Sequence, residues 1–195
     1  MLEHGGRLRE AARGSGIALA DWLDLSTGIN PCGWPVPPLP ATVWQRLPEA
    51  DDGLERAAAA YYGNHRLLPL PGSQAALQLL PQLFPPASIA CLAPLYAEHP
   101  AAWQAAGHTL RQLPAGNLRR GLAAATPRLL LWNPNNPTAH HLDREAILEA
   151  AAELGRRGGW LFVDEAFIDA TPAYSVTDQA GSAAYPNLVV LRSLG

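Results

Sequence analysis

The chain contains no lysine, because all 14 residues counted as lysine or arginine are arginines. No side chain can therefore supply the primary amine that condenses with a carbonyl group. Charge is also scarce: charged residues make up 16% of the 195 residues, and the net charge is −3. With the arginines scattered along the sequence, this balance argues against a nucleic-acid partner.

Long apolar runs and closely spaced cysteines are missing as well. No run of about 18 apolar residues occurs, which argues against a membrane span. The N-terminus carries Glu3, His4 and Arg9 and has no apolar stretch, which is unlike a signal peptide. Cys32 and Cys91 lie far apart and lack metal-ligand spacing, so we expect free thiols in a reducing, cytoplasmic compartment. The apolar content of 48% suits a globular fold.

Two short apolar runs dominate the second half of the chain. Leu129–Trp132 and the run that begins at Trp160 have the length of strands buried on both faces, and a helix-length segment separates them. This pattern predicts a βαβ unit of a parallel sheet, with Asn136 and Asp164 past the carboxyl ends of its strands. Prolines in residues 133–138 should hold that segment extended and rigid. The simpler alternative is that Asn136 caps a turn and Asp164 ends a strand.

Other segments extend the alternation of helices and strands. Half-buried alternation predicts a strand around Trp22–Thr27, and Asp143 should cap the helix after residue 138. The further predicted helices cover residues 7–13, 52–62 and 73–80, and the further predicted strands cover residues 88–92, 110–113 and 187–191.

A glycine followed by a hydroxyl residue opens the predicted helix at residue 73. Gly72, Ser73 and Gln74 would direct free backbone N–H groups and the helix dipole at an anion such as phosphate. Taken alone this signal is weak, since Ser73 is also an ordinary helix N-cap.

The Asn-Pro-Thr and Asp-Glu-Ala-Phe motifs together resemble the fold-type-I pyridoxal-5'-phosphate (PLP) enzymes, the aspartate aminotransferase superfamily. The resemblance implies an α/β fold, a three-layer α/β/α sandwich with a mostly parallel sheet. It also implies that Asn136 binds the phenolic oxygen of PLP and that Asp164 pairs with the protonated pyridine nitrogen. Tyr96 would stack on the ring. The remaining implied cofactor-binding residues are Gly72, Ser73, Gln74, Phe167 and Ser193.

The N-terminal segment is similar to the opening of the threonine-phosphate decarboxylases of cobalamin biosynthesis. The similarity lies in His-Gly-Gly-x-Leu-Arg-Glu-Ala-Ala and in Asp-Leu-Ser-Thr-Gly-Ile-Asn-Pro. It implies an arm over residues 1–45, the front of a large domain over residues 46–195, a phosphorylated amino acid as substrate and a homodimer. The implied substrate-binding residues are His4, Gly5, Gly6, Gly28, Ile29 and Asn30.

The same family places a PLP-binding lysine in the motif Arg-Ser/Thr-Leu-x-Lys. Here Arg192 and Ser193 match, and the lysine would be the residue after Gly195. We therefore expect residues 1–195 alone to be inactive. A histidinol-phosphate or other amino-acid aminotransferase is the alternative activity for the intact protein, and an inert fragment is the non-enzymatic alternative.

Several residues depart from the pattern or carry little signal. Leu47 stands where relatives have a tyrosine that reaches the cofactor phosphate of the partner subunit, and Tyr61 and Tyr62 are weak substitutes. The histidines show no metal-ligand spacing. We expect His99 and His108 at the surface or at helix ends. We expect His140 and His141 to face solvent.

Overall fold

The computed structural model describes residues 5–30, 33–47, 49–114, 118–123 and 126–193. The predictions for His4 and Cys32 concern residues outside these ranges. The chain divides into two compact units, residues 1–41 with residue 195, and residues 42–194. The functional boundary at residue 45 stays a prediction.

The first unit contains the predicted N-terminal helix. Helix α1 covers Leu8–Ser15 and ends at Gly16, whose φ of 72° lies in the left-handed region that glycine adopts without strain. A 3₁₀ turn over Leu19–Asp21 follows.

The predicted strand over Trp22–Thr27 is wrong. These residues are irregular, and Leu23 and Leu25 are 79% and 83% exposed. The Asp24 carboxylate accepts hydrogen bonds from the backbone N–H of Ser26 at 2.8 Å and from its hydroxyl at 2.6 Å. Such local bonds give the backbone an alternative to a strand ladder.

The second unit contains a five-stranded parallel sheet with the strand order β2-β1-β3-β4-β5. The strands are β1 (Ser88–Ala93), β2 (Thr109–Pro114), β3 (Arg128–Trp132), β4 (Trp160–Asp164) and β5 (Leu188–Leu191). The helices are α2 (Leu54–Tyr62), α3 (Ser73–Leu79), α4 (Glu98–Ala105), α5 (Leu118–Ala123) and α6 (Arg144–Arg156). Short 3₁₀ turns cover Ala41–Trp44, Leu80–Leu83, Ile168–Ala170, Pro172–Tyr174 and Thr177–Gln179.

Successive residues of the central strands point to opposite faces of the sheet. Leu129, Leu131 and Val163 pack on one face, in a core that also contains Ile147 of α6. Leu130 and Phe162 pack on the other face, in a core that also contains Trp103 of α4. Helices thus cover both faces, and the predicted three-layer α/β/α sandwich is confirmed.

One detail corrects the sequence-based expectations, because Asp143 precedes α6 but makes no side-chain capping hydrogen bond. Trp34 and Trp44 are both largely exposed. Cys91 is a free, buried thiol as expected, and burial raises the pKa of that thiol to about 11. Among the described residues, no helix is long and apolar enough to cross a bilayer.

Candidate active site

The carboxyl ends of the strands meet at one edge of the sheet. Strands β1, β3 and β4 end there at Ala93, Trp132 and Asp164. The strand order reverses at β1, because β2 lies on one side of it and β3 on the other. In open α/β sheets the ligand crevice lies outside the carboxyl ends at such a reversal.

Asp164 ends β4 at this edge, and its carboxylate is largely buried. Its Oδ2 lies 2.6 Å from Nε2 of His99, and its Oδ1 accepts the backbone N–H of Ala166 at 2.9 Å. An ionised carboxylate has more acceptor sites than these two bonds use. It can therefore accept a further hydrogen bond from a protonated ring nitrogen.

His99 is the member of this cluster that the sequence does not predict. It lies at the start of α4, which is one of its two expected placements, but it is 1% exposed and therefore not at the surface. The indole ring of Trp132 meets its imidazole edge to face at a centroid distance of 5.1 Å. No local pattern in the sequence singles out His99, because its partner Asp164 is 65 residues away.

Tyr96 lies in the short segment between β1 and α4 and packs partly buried against the core on the α4 face. Burial raises the pKa of its phenol, and the nearby Glu98 and Asp164 carboxylates raise it further. The ring is therefore neutral at physiological pH and lies within electrostatic range of Asp164.

The segment over residues 133–138 forms a bend and a turn, so the predicted extended conformation is wrong. The carbonyl of Asn135 accepts the backbone N–H of Ala139 at 2.7 Å, which closes the turn. Asn136 lies within it and is partly buried. The amide of Asn133 anchors the segment, because it accepts the N–H of Leu142 at 2.9 Å and donates to the Leu142 carbonyl at 3.3 Å.

The predicted anion-binding turn stands at the start of α3. Gly72, and not Ser73, is the N-cap residue of the helix, and its φ of 85° is a conformation that favours glycine. The side-chain amide of Gln74 lies 3.3 Å from the Glu98 carboxylate of α4. The starts of α3 and α4 are therefore adjacent.

Glu165 follows Asp164 in the sequence, but its side chain makes its contacts on the opposite face of the sheet. It is fully buried, and it accepts hydrogen bonds from Ser175 Oγ at 2.6 Å, Thr177 Oγ1 at 2.7 Å and Val176 N–H at 2.7 Å. Its Oε2 also lies 3.3 Å from Arg192.

Arg192 follows β5 and is held from several sides. Besides Glu165 it contacts Asp169 at 2.5 Å, and its guanidinium lies 4.6 Å from the centre of the Tyr62 ring. This cluster fixes the chain where it leaves β5, immediately before Ser193. Phe167 is 43% exposed in the loop after β4.

The predicted substrate-binding arm belongs to the first unit. The N–H of Gly6 donates to Ser26 Oγ at 2.8 Å, and a Cβ on Gly5 would lie 1.9 Å from the Ser26 carbonyl oxygen. These glycines therefore allow two backbone segments of the arm to approach closely. Gly28, Ile29 and Asn30 follow in irregular, exposed backbone.

Other polar side chains differ from expectation. His108 is buried, and its Nε2 lies 3.0 Å from the Pro81 carbonyl. His141 is partly buried against the Tyr174 ring, whereas His140 is exposed as predicted. The hydroxyl of Tyr61 bonds to Asp169 at 3.0 Å, and Tyr62 lies beside Arg192, so both weak substitutes for Leu47 have partners within the chain.

Comparison with known proteins agrees with this geometry. The family model for aminotransferase class I and II matches residues 44–195. The chain belongs to this family. The predicted superfamily is therefore confirmed, and the carboxyl edge described above lies within the matched residues.

Two curated relatives are similar over the whole chain. It is 52% identical over 195 residues to a protein of Pseudomonas aeruginosa named threonine-phosphate decarboxylase. It is 41% identical over 199 residues to a protein of that name from Sinorhizobium sp.. In each case the match covers 100% of this chain and 58% of the relative, so the chain spans a little over half of their length.

Solved structures share the fold. The L-threonine-O-3-phosphate decarboxylase from Porphyromonas gingivalis matches with a TM-score of 0.64 and 23% identity, over 76% of this chain and 48% of that one. The histidinol-phosphate aminotransferase from Sinorhizobium meliloti in complex with PLP matches with a TM-score of 0.61 and 22% identity, over 72% and 41%.

Proposed function

We propose that the intact protein containing this chain is a PLP-dependent decarboxylase of cobalamin biosynthesis. It would convert L-threonine O-3-phosphate to (R)-1-aminopropan-2-yl phosphate and carbon dioxide. The observation that carries this proposal is the 52% identity over the whole chain to a protein named threonine-phosphate decarboxylase. The matching N-terminal arm and carboxyl-edge motifs support it.

The residues at the carboxyl edge fit PLP. Asp164 is a buried carboxylate with acceptor capacity beyond its bonds to His99 and Ala166. The Tyr96 ring is neutral and lies near that carboxylate. On Gly72, an added Cβ would meet no atom of the described residues within 4 Å, so open space adjoins the start of α3 in this part of the chain.

Each of these residues would have a defined role. Asp164 would accept a hydrogen bond from the pyridine nitrogen and keep it protonated, and His99 would orient the carboxylate by donating to its other oxygen. Tyr96 would stack on the ring, and Asn136 would donate to the phenolic oxygen. The phosphate would be held by Gly72, Ser73, Gln74 and Ser193, with Phe167 beside the ring. When bound, PLP supplies an electron sink for the pair released as carbon dioxide leaves.

The substrate side and the assembly belong to the same proposal. The arm residues His4, Gly5, Gly6, Gly28, Ile29 and Asn30 would bind the phosphorylated amino acid. A cytoplasmic homodimer would complete the site. Its partner subunit would cover part of the apolar surface that the side chains of Trp44 and Leu47 expose.

Residues 1–195 by themselves should not carry out the reaction. They contain no lysine, so no side-chain amine can attach PLP covalently. Borohydride reduction with PLP followed by peptide mass mapping should find no specific pyridoxyl adduct on these residues. A pyridoxyl adduct at one defined site, together with decarboxylation, would show that a group within residues 1–195 attaches PLP, and the proposal would be wrong on this point.

The reaction itself is tested with full-length protein. Incubation with threonine phosphate should release carbon dioxide without any keto-acid acceptor. The competing activity is histidinol-phosphate aminotransfer, favoured by a 66-residue match at 44% identity to that enzyme from Shewanella oneidensis. A requirement for 2-oxoglutarate, with glutamate as a product, would establish an aminotransferase and overturn the proposal.

A further inference from the structure

Strands β1 and β3 are neighbours at the point where the strand order reverses, and they stop pairing before either strand ends. The β1–β3 ladder pairs Ile89 with Arg128 and stops at the pair of Cys91 and Leu130. β1 continues to Ala93, and β3 continues to Trp132. The segments beyond these ends carry Tyr96 and Asn136, so the site depends on how those two segments are held together.

Asn135 connects them. Its side chain is 8% exposed, and its Nδ2 donates to the Pro94 carbonyl at 3.1 Å and to Thr138 Oγ1 at 2.9 Å. One bond therefore reaches the segment after β1, and the other stays within the turn after β3. The backbone N–H of Asn135 donates to the His140 carbonyl at 2.8 Å, which fixes the residue in that turn.

We propose that Asn135 is a positioning residue that holds the Tyr96 segment in register with the Asn136 turn. This inference rests on the proposed function, in which those two residues contact PLP. Pro94 precedes Tyr96 by two residues, and Asn136 is the next residue after Asn135. Without the amide, the two segments lose a direct link at the place where the strand ladder has ended.

The amide acts through its two N–H donors. Among the described residues, Oδ1 of Asn135 has no hydrogen-bond partner. Leucine has a similar volume and no donor, so Asn135→Leu removes the link with little change of shape. A displacement of about 1 Å in an active site can cost roughly a hundredfold in rate, so loss of a positioning bond is measurable.

Asn187 provides a matched control. It is also 8% exposed, and its Nδ2 donates to the carbonyls of Ala151 at 2.9 Å and Gly159 at 3.0 Å. It lies immediately before β5, at the amino edge of the sheet. Asn187→Leu therefore removes two buried bonds of the same kind away from the candidate site.

The experiment compares the two leucine variants in the full-length protein. Hydrogen–deuterium exchange without PLP should increase over residues 95–97 in Asn135→Leu and not in Asn187→Leu. With PLP added, Asn135→Leu should weaken binding by about tenfold or more and shift the visible absorption of the bound cofactor. Asn187→Leu should change neither property. If the two variants give the same exchange and the same PLP affinity, Asn135 has only a structural role and the proposal is wrong.

Further variants keep the test decisive if a leucine variant fails to fold. Asn135→Ser and Asn187→Ser are smaller polar changes with the same expected contrast. Thr138→Val removes the bond within the turn and keeps the bond to Pro94, so exchange over residues 95–97 should stay at the wild-type level. If exchange over residues 95–97 rises as much in Thr138→Val as in the Asn135 variant, the bond to Pro94 is not what holds the Tyr96 segment. If the wild-type protein binds no PLP, the proposed function fails, and the exchange comparison still decides the role of Asn135.

Discussion

The two edges of the parallel sheet use buried polar side chains in different ways. At the amino edge, His108, Arg128 and Asn187 each contact main-chain carbonyls; Nη1 of Arg128, for example, lies 2.7 Å from the Pro85 carbonyl. At the carboxyl edge, Asp164 pairs with another side chain, His99. The amino-edge side chains therefore bond within the fold, whereas Asp164 at the carboxyl edge also keeps acceptor capacity to spare.

Unsatisfied polar atoms show the same contrast. Among the described residues, buried atoms without a hydrogen-bond partner include Trp132 Nε1 and Asn135 Oδ1 at the carboxyl edge. Ser88 Oγ, at the start of β1, is an exception at the amino edge. Because such atoms cost free energy in a buried place, the two at the carboxyl edge would gain from hydrogen bonds to a bound ligand. The comparison predicts that carboxyl-edge variants lose activity and amino-edge variants lose stability.

The largest effect should follow from Asp164→Ala in the full-length enzyme. In the proposed function, Asp164 is the anion that keeps the pyridine nitrogen protonated, so the rate should fall by several orders of magnitude without it. The variant should stay folded, as measured by circular dichroism beside the decarboxylation assay. Near-normal turnover would contradict the role of Asp164.

A smaller loss should follow from His99→Leu. Hydrogen bonds to charged groups contribute about 1.5–3 kcal/mol, which corresponds to roughly ten- to hundredfold in kcat/KM. His99→Gln retains a side-chain N–H donor and should recover part of the loss. Equal losses in the two variants would mean that His99 serves packing against Trp132 and not the orientation of Asp164.

An amino-edge substitution should affect stability alone. In His108→Phe, the N–H of Ala87 and the guanidinium of Arg128 lose the Nδ1 acceptor that lies 3.2 Å and 2.9 Å away. The free energy of unfolding should fall by about 1–3 kcal/mol, with kcat and KM unchanged. His65→Phe, at an exposed position, is the control and should stay within about 0.5 kcal/mol of wild type. A changed KM in His108→Phe would contradict the prediction that amino-edge substitutions affect stability alone.

The smallest effect concerns the surface pair of Asp178 and Arg144, whose closest atoms are 2.6 Å apart. Hydrogen bonds from Arg144 lower the pKa of the Asp178 carboxyl. A carboxyl whose folded-state pKa is lowered stabilises the protein above its unfolded pKa of about 3.9, and this contribution is lost as the pH falls through the folded value. Because the pair is partly exposed, Asp178→Asn should cost at most about 1 kcal/mol at pH 7. Urea unfolding should show that difference disappearing in acid; a difference independent of pH would contradict the ionic contribution.

The sequence predicts the parts of this molecule that depend on local pattern. Leu129–Trp132 and the run from Trp160 are apolar throughout, and such runs indicate strands covered on both faces. Their positions also place Asn136 past the end of β3, and Asp164 is the last residue of β4. The failed strand at Leu23 and Leu25 has the right alternation, but Asp24 bonds to Ser26 locally, and alternation alone does not reveal that competition.

The partners of the site residues are harder to predict, because they depend on contacts between segments distant in sequence. His99 and Asp164 are 65 residues apart, and Glu165 and Arg192 are 27 apart. Asp164 and Glu165 are neighbours in sequence, yet one contacts α4 and the other contacts the turn at Ser175. That separation follows from the alternation of side chains along a strand, once the helix on each face is known.

The central claim is that PLP binds at the carboxyl edge, with its ring stacked on Tyr96 and its pyridine nitrogen directed at Asp164. A crystal structure of the full-length protein with PLP tests it directly. The account predicts that the pyridine nitrogen lies within about 3 Å of an Asp164 carboxylate oxygen, with His99 still bonded to the other side of that carboxylate. A cofactor bound elsewhere, or one whose ring nitrogen has no contact with Asp164, would contradict the account.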